Sequence, residues 1–509
     1  MVWRFLLALP ALLAANTAAQ AHAFGERYDL PVPLWMNVTG GAAVVVLSFV
    51  MAAWFMKPEP VGHAPRANLL TAPAMQLLGS PLLLLAVKLF SVFLFTVALL
   101  AGFIGLPDYS RNAAPTVFWV LGWVGLAFAS VLIGHVWLLL NPWLNLFDWA
   151  DALWRKATGR PLSLNVTYPR RFGVVPGLVM VIGFVWFMLA SGLAGDSRAL
   201  ACAATVYSAI TWTGMLVFGA PAWVAHGEAF TLLFGVLSRF SPLALRVSDR
   251  AICAQTGCPP APDGVCVDCE EAFLLAPRGK REIALRGYGI GLIVHQPLSV
   301  SMTVLVLMVL ALVAFEGFMD TTLWSDLLFS ISDMSTSESQ QAPATVTLSF
   351  VAMIALLYAL FYAVCAMMRR IGYADTTPAF STREIMGLFV LSLVPISVAY
   401  HVAHYLYWFY TQIQFVVPAA SDPFAFGWDL FGGRNFVPDR AAVSLKAIWH
   451  TAVIAIVVGH VISVYVAHRV ALNVFATRRA ALLSQIPMLA LMVAYTMTSL
   501  WMLAQPITG

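Results

Sequence analysis

Apolar runs of about twenty residues recur along this chain, with short polar stretches between them. Ten runs, 36–56, 80–105, 116–140, 173–194, 199–219, 296–319, 346–368, 385–410, 444–467 and 486–505, stand out in the sequence. Each is long enough, as a helix, to cross roughly 30 Å of hydrocarbon. The pattern predicts an all-α fold, a polytopic integral membrane bundle of about ten transmembrane helices. It divides the chain into residues 22–219 with helices one to five, an insertion at 220–290, and residues 291–509 with helices six to ten. One further apolar piece, Ala229 to Phe240, is too short to span and is expected to lie at the interface as an amphipathic segment. There is no recognisable internal repeat.

The polar stretches orient the bundle. Lys57 and Arg66 follow the first run, and Arg155, Lys156, Arg160, Arg170 and Arg171 separate the third from the fourth. Arg278, Lys280, Arg281 and Arg286 precede the sixth, Arg369 and Arg370 end the seventh, and His468, Arg469, Arg478 and Arg479 follow the ninth. Basic residues collect in cytoplasmic loops, so these loops are expected inside and both termini outside. The first residues read as a secretory signal peptide: Arg4, the apolar stretch Phe5 to Ala15, and an A-x-A cleavage site ending at Ala21 or Ala23. Removal of residues 1–21 would put the mature N-terminus in the periplasm, with the protein in a bacterial inner membrane. The main outer segments are then 320–345 and 411–443, the second long enough to fold over a site.

Composition agrees. Hydrophobic residues make up 61% and charged residues 10% of the 509 positions, against about 25% charged in soluble domains. The 28 basic against 24 acidic residues do not suggest a nucleic-acid partner. There is no P-loop, G-x-S-x-G elbow, H-E-x-x-H or dinucleotide fingerprint, which leaves ATP-driven and serine-hydrolase chemistry without support.

Five ionisable residues stand inside apolar runs near one predicted face: Glu316, Asp320, His401, His404 and His450. A charged group at membrane depth costs about 2.5–3.5 kcal/mol on insertion scales, so a set of them asks for a use. His401 and His404 at i, i+3 share one helix face, as do Glu316 and Asp320 at i, i+4, and Pro395 can kink the histidine helix. Three imidazoles, His401, His404 and His450, with one or two carboxylates suit a divalent transition metal. The bland alternative is a set of interfacial groups bonded to water and neighbouring helices. His22, if left N-terminal by cleavage after Ala21, could chelate copper. On the inner side His135 and His460 could ligate a haem between helices, against the plainer reading of helix-to-helix hydrogen bonds; His226, His295 and His468 also lie there.

The cysteines form a tighter pattern. Cys253, Cys258, Cys266 and Cys269 give C-x4-C-x7-C-x2-C with Gly257, Pro259, Pro260 and Gly264 between them. Four thiolates so spaced in a turn-rich loop suit a structural, tetrahedral zinc site, with an iron site as the alternative. The predicted cytoplasmic location disfavours disulfides. Cys202 and Cys365 stand alone in apolar runs.

Several segments resemble bacterial membrane proteins named fenitrothion hydrolases. They are Arg27–Trp35, Gly227–Gly235, Phe315–Trp324, Ala399–Tyr405, Gly459–Arg469 and Ala494–Trp501. The resemblance touches almost the whole length, although the four-cysteine loop is not part of it. It implies a membrane-bound hydrolase of organophosphorus triesters, acting with a second membrane protein subunit. A neutral, apolar triester would reach the site from the bilayer. A metal on His401, His404 and His450 would activate water, with Glu316 or Asp320 as ligand or base. The alternatives from the residues themselves are a carrier for a metal ion or small solute, and a haem or copper redox protein.

Overall fold

The computed structural model describes residues 33–56, 68–71, 79–258, 264–331, 343–433, 435–439 and 443–504. The signal peptide and His22 lie outside these. In chain order the helices that matter are α1 (Leu34–Phe55), α2 (Pro81–Ile104), α3 (Ala113–Leu132), α4 (Pro142–Thr158), α5 (Val175–Ala190), α6 (Ser197–Phe218), α7 (Ala220–His226) and α8 (Ala229–Ser238). A small lobe follows, with α9 (Arg250–Thr256), α10 (Glu270–Leu275) and strands β1 (Leu243–Val247), β2 (Cys266–Val267) and β3 (Arg281–Leu285). The chain then returns to α11 (Val300–Met319), α12 (Pro343–Gly372), α13 (Thr382–Ile413), α14 (Leu445–Val474) and α15 (Arg478–Leu503).

Each predicted apolar run is a helix, and the molecule is a multi-pass membrane bundle. Among the described residues nine helices have the length and apolarity to cross a membrane, and α5 is a shorter apolar helix. Local signals set their ends. Ser80, Asn141, Asp196, Ser299 and Ser444 cap α2, α4, α6, α11 and α14 through side-chain oxygens that accept backbone N–H bonds. Ser381 and Glu384 form a capping box at the start of α13.

Two helices form the centre of the bundle. α13 and α11 are the most enclosed, and the other spans wrap them. α14 lies so close to α13 that a Cβ on Gly459 would stand 2.4 Å from the Ala399 Cβ and 2.6 Å from the Pro395 carbonyl oxygen, the close backbone approach that small residues allow in membranes. α13 is not regular. Residues Val390–Leu393 tighten to a 3₁₀ turn just before Pro395, and the Ser392 carbonyl accepts a bond from Ser463 Oγ on α14 at 2.5 Å. α3 is also irregular, since Thr116–Gly125 is wound as a π-helix, a form associated with functional sites.

One segment departs from expectation. Ala229 to Phe240, expected at the interface, is instead the second arm of a broken hairpin: α7 and α8 meet at 66° around Gly227 and Glu228. Every residue of α8 except Phe230 is buried. The reason is aromatic packing, with Phe234 against Trp123 and Trp137, and Phe230 against Phe184. Apolar all round, this short helix finds its partners inside the bundle.

The four-cysteine region folds as a lobe on a three-stranded antiparallel sheet in the order β2-β1-β3, with Leu245 opposite Ile283 and Arg246 opposite Val267. Arg286 fastens it to the bundle: it pairs with Asp268 and donates to the Ser238 and Ser241 carbonyls at the end of α8.

Candidate functional site

The buried carboxylate of Glu316 is the centre of the site. It sits one turn from the end of α11, and α13 supplies its partners. The Tyr405 hydroxyl lies 2.6 and 2.7 Å from the two carboxylate oxygens and donates to them. His404 Nε2 is 4.0 Å from Oε2, with 22% of its side chain exposed against 8% for Glu316. From α3, Trp123 Nε1 donates to the Tyr405 oxygen at 3.5 Å. The result is a directed chain, Trp123 to Tyr405 to Glu316, with His404 as its most accessible member. A buried hydroxyl and a buried carboxylate are each costly alone, and here each satisfies the other.

The remaining expected residues are distributed unequally. His401 lies one turn back on α13, wedged edge-on between Trp123 and Phe128 at ring distances of 5.9 and 5.4 Å, and its buried Nε2 has no hydrogen-bond partner. Asp320 is half-buried at the end of α11, within electrostatic reach of Glu316. His450 is exposed on α14. His401 is thus buried, His404 partly exposed and His450 exposed. Among the described residues no group of three or more His, Cys, Asp or Glu side chains is arranged to hold a metal ion. Helical spacing put His401 and His404 on one side of α13 but carried no information on which way α14 is turned.

The four cysteines do converge. The structure joins them as Cys253–Cys266 and Cys258–Cys269, with Cα separations of 5.8 and 6.4 Å. Free thiolates were the expectation from spacing and predicted compartment. Paired sulfurs and metal-ligating thiolates are alternative chemical states of the same clustered residues. In each pair of neighbouring cysteines the residue before the second is left-handed, Gly257 at φ 66° and Asp268 at φ 50°. These turns swing Cys258 and Cys269 toward Cys253 and Cys266.

Sequence reasoning missed two features. Tyr405 and Trp123 were invisible as site residues, because aromatic residues in apolar runs are ordinarily packing. The second is Glu228, fully buried at the break between α7 and α8. Its carboxylate accepts from Trp137 Nε1 (2.9 Å), Asn141 Nδ2 (3.2 Å), the Tyr207 hydroxyl, both Phe230 and Thr231 N–H groups (3.1 and 2.7 Å) and Thr231 Oγ1 (2.5 Å). It caps α8 and ties α3–α4, α6 and α8 together halfway along α6. A signal was present: Gly227-Glu228 interrupts an apolar stretch. Below it, Gly235 leaves room for His135 and Glu270, which approach to 3.8 Å where the lobe meets the bundle.

Of the histidines weighed as haem ligands, His460 is fully buried and bonds the Ile456 carbonyl in its own helix through Nδ1 (2.8 Å). His135 faces Glu270 of the lobe. Pro423 and Phe424, within the expected outer segment, pack at the end of α2 and the start of α3, where the Leu106 and Ala113 N–H groups donate to the Phe424 and Pro423 carbonyls.

No protein-family model, curated protein or solved structure matches the chain.

Proposed function

We propose that the protein is an integral membrane hydrolase of neutral organophosphorus triesters, with Glu316, Tyr405 and His404 as its reactive centre. The observation that carries this reading is the buried carboxylate held by one phenol beside one imidazole. That arrangement suits proton transfer. Glu316 takes a proton from water as the water oxygen attacks phosphorus; the bond from phosphorus to the aryl oxygen breaks, and the aryl-oxide leaves. His404, the exposed member, returns the proton to the aryl-oxide or to solvent. The products are a dialkyl phosphoric or phosphorothioic acid and a phenol. Each of these steps belongs to the side chains themselves; among the described residues no group of three or more His, Cys, Asp or Glu is arranged to hold a metal ion. The resemblance noted in the sequence supplies the substrate class, and the apolar surroundings favour a substrate that partitions into lipid.

The test is hydrolysis of an aryl dialkyl phosphorothioate by purified protein in lipid nanodiscs. Glu316→Gln should remove turnover, and chelators should leave it unchanged. Turnover that survives Glu316→Gln rejects this centre.

One observation favours a second reading, a proton-coupled carrier. The broken pair α7–α8, with Glu228 at the break, is the kind of discontinuous helix on which carriers build binding sites. Uptake of a solute into proteoliposomes without chemical change would favour it over hydrolysis.

In the lobe, the clustered cysteines would hold one zinc ion in their reduced state, as a structural site that replaces a hydrophobic core. We place the lobe in the cytoplasm and both termini in the periplasm, from the distribution of basic loops.

A further inference from the structure

Where α2 stops and α3 begins, residues 421–433 form a loop that is tied down inside and apolar outside. Ser421 and Asp422 are buried at its base. The Asp422 carboxylate accepts from the Phe426 and Gly427 N–H groups at 2.9 and 2.6 Å. Ser421 takes the Leu430 N–H on its carbonyl (3.1 Å) and the Gly433 N–H on its hydroxyl oxygen (2.9 Å). Ala425 is held at φ 59°, a left-handed conformation that a residue with a Cβ keeps only where its surroundings impose it. Phe424, Phe426 and Trp428 pack on one another with ring centres 5.5–5.8 Å apart. The outward side of this frame is apolar: Phe426, Trp428, Leu430 and Phe431 are all exposed, Phe431 to 78%. Large apolar side chains grouped on a fixed loop mark a contact surface.

We propose that this loop is a foot seated in the adjoining leaflet of the bilayer, its occupant being phospholipid. Two observations favour lipid. The first is position. α2 is the span least enclosed by the rest of the chain, and its exposed apolar surface runs through Phe103 and Ile104 to Leu106. The Leu106 N–H donates to the Phe424 carbonyl, so the loop begins where the lipid-facing wall of α2 ends. The second is the backbone. Non-helical chain near hydrocarbon must have its polar groups satisfied from within the protein, and Asp422 and Ser421 supply acceptors for four N–H groups of this loop. Phe426 and Trp428 belong to the residue class that lines membrane interfaces, and Leu430 and Phe431 add apolar surface of the kind that interfacial segments bury among acyl chains. The foot also bears on the Glu316 centre. The Pro423 carbonyl accepts from Ala113 at the start of α3, the helix that carries Trp123. Seating the loop in the leaflet fixes the depth of that helix start.

The experiment uses the full-length protein with p-benzoylphenylalanine in place of Phe431, whose exposed side chain leaves room for it. Irradiated protein in phospholipid nanodiscs is read by intact mass spectrometry, and irradiated cell membranes are read for covalent protein adducts. Ile454, exposed on the span α14, gives the reference for lipid, and Asp375, exposed in the loop after α12, the reference for water. The probe at position 431 should yield phospholipid adducts as the Ile454 position does, and about ten-fold more than the Asp375 position. The same probe in place of Trp428 should also yield them, and it serves if the first substitution disturbs the fold. A lipid yield no higher than at Asp375 overturns the proposal. So does a dominant adduct with another protein, or with a second copy of this chain, in the cell membranes. None of these readouts depends on hydrolysis.

Discussion

A carboxylate buried near the end of α11 persists because one hydroxyl on α13 meets both its oxygens. Replacing Tyr405 by Phe keeps the shape and removes that donor. The orphaned acceptor should cost about 1–3 kcal/mol, read as a lower melting temperature of the purified protein, and hydrolysis should fall with it. Glu316→Gln should instead keep the fold and lower turnover by roughly 10²–10⁴-fold, the range of a lost general base. A Tyr405→Phe variant with wild-type stability would show that the pair does not stabilise the bundle. The sequence made Glu316, His401 and His404 conspicuous, because charge-bearing groups in apolar runs are rare. It could not mark Tyr405, whose hydroxyl gains its role only from the neighbour across the helix interface.

At the scale of elements, the close pair α13–α14 depends on the missing side chain at Gly459. The atoms facing that position include the Pro395 carbonyl, part of a backbone that cannot swing aside. Gly459→Leu should separate the two helices and cost about 1–3 kcal/mol or more, visible as lower thermal stability and weaker protection of Ser392 and its neighbours from hydrogen exchange. The break between α7 and α8 makes a matching case. Glu228→Ala would leave the Trp137, Asn141 and Tyr207 donors buried without their acceptor. The expected result is a protein that no longer survives extraction in mild detergent, whereas Glu228→Gln should retain part of the network. Helix existence and approximate ends were readable from apolar length and caps. The broken hairpin was not, since a ten-residue apolar helix looks the same whether it lies on a membrane or is buried among aromatic rings.

At the scale of the molecule, the lobe and the bundle are joined through Arg286, Asp268, His135 and Glu270. Burial in this contact raises the Glu270 carboxyl above the ordinary range, with the Arg239 guanidinium opposing. A folded-state pKa above the unfolded one means that the contribution to stability is whole below about pH 4.5 and is lost as pH rises through the folded value. Glu270→Gln, which cannot ionise, should therefore raise the melting temperature at pH 7.5, and the gain should shrink toward pH 4.5. A constant difference across that window would place the cost elsewhere. The cysteines give a second measurement on the same lobe. Reduced protein should take up one zinc per chain and protect residues 251–270 from protease, and a variant lacking all four should do neither. Turnover at Glu316 should survive that variant. Glu316 lies about 24 Å of helix from the start of α11, where the chain leaves the lobe.

The sequence by itself determined that this is an all-α membrane bundle, where its spans run, and which helix faces carry ionisable groups. Those properties follow from apolar length and helical period, which act within one element. It also determined that the four cysteines belong to one local unit, because their separation along the chain is short. Only the tertiary structure decided that Glu316 meets Tyr405, that His401 is wedged between Trp123 and Phe128, and that Glu228 holds a broken hairpin inside the bundle. Each of these depends on how one helix is rotated against another. In a bundle whose spans are apolar nearly all round, no stripe of polarity fixes that rotation in advance. It is set by close packing at positions such as Gly459 and by hydrogen bonds that exist only once the helices have met.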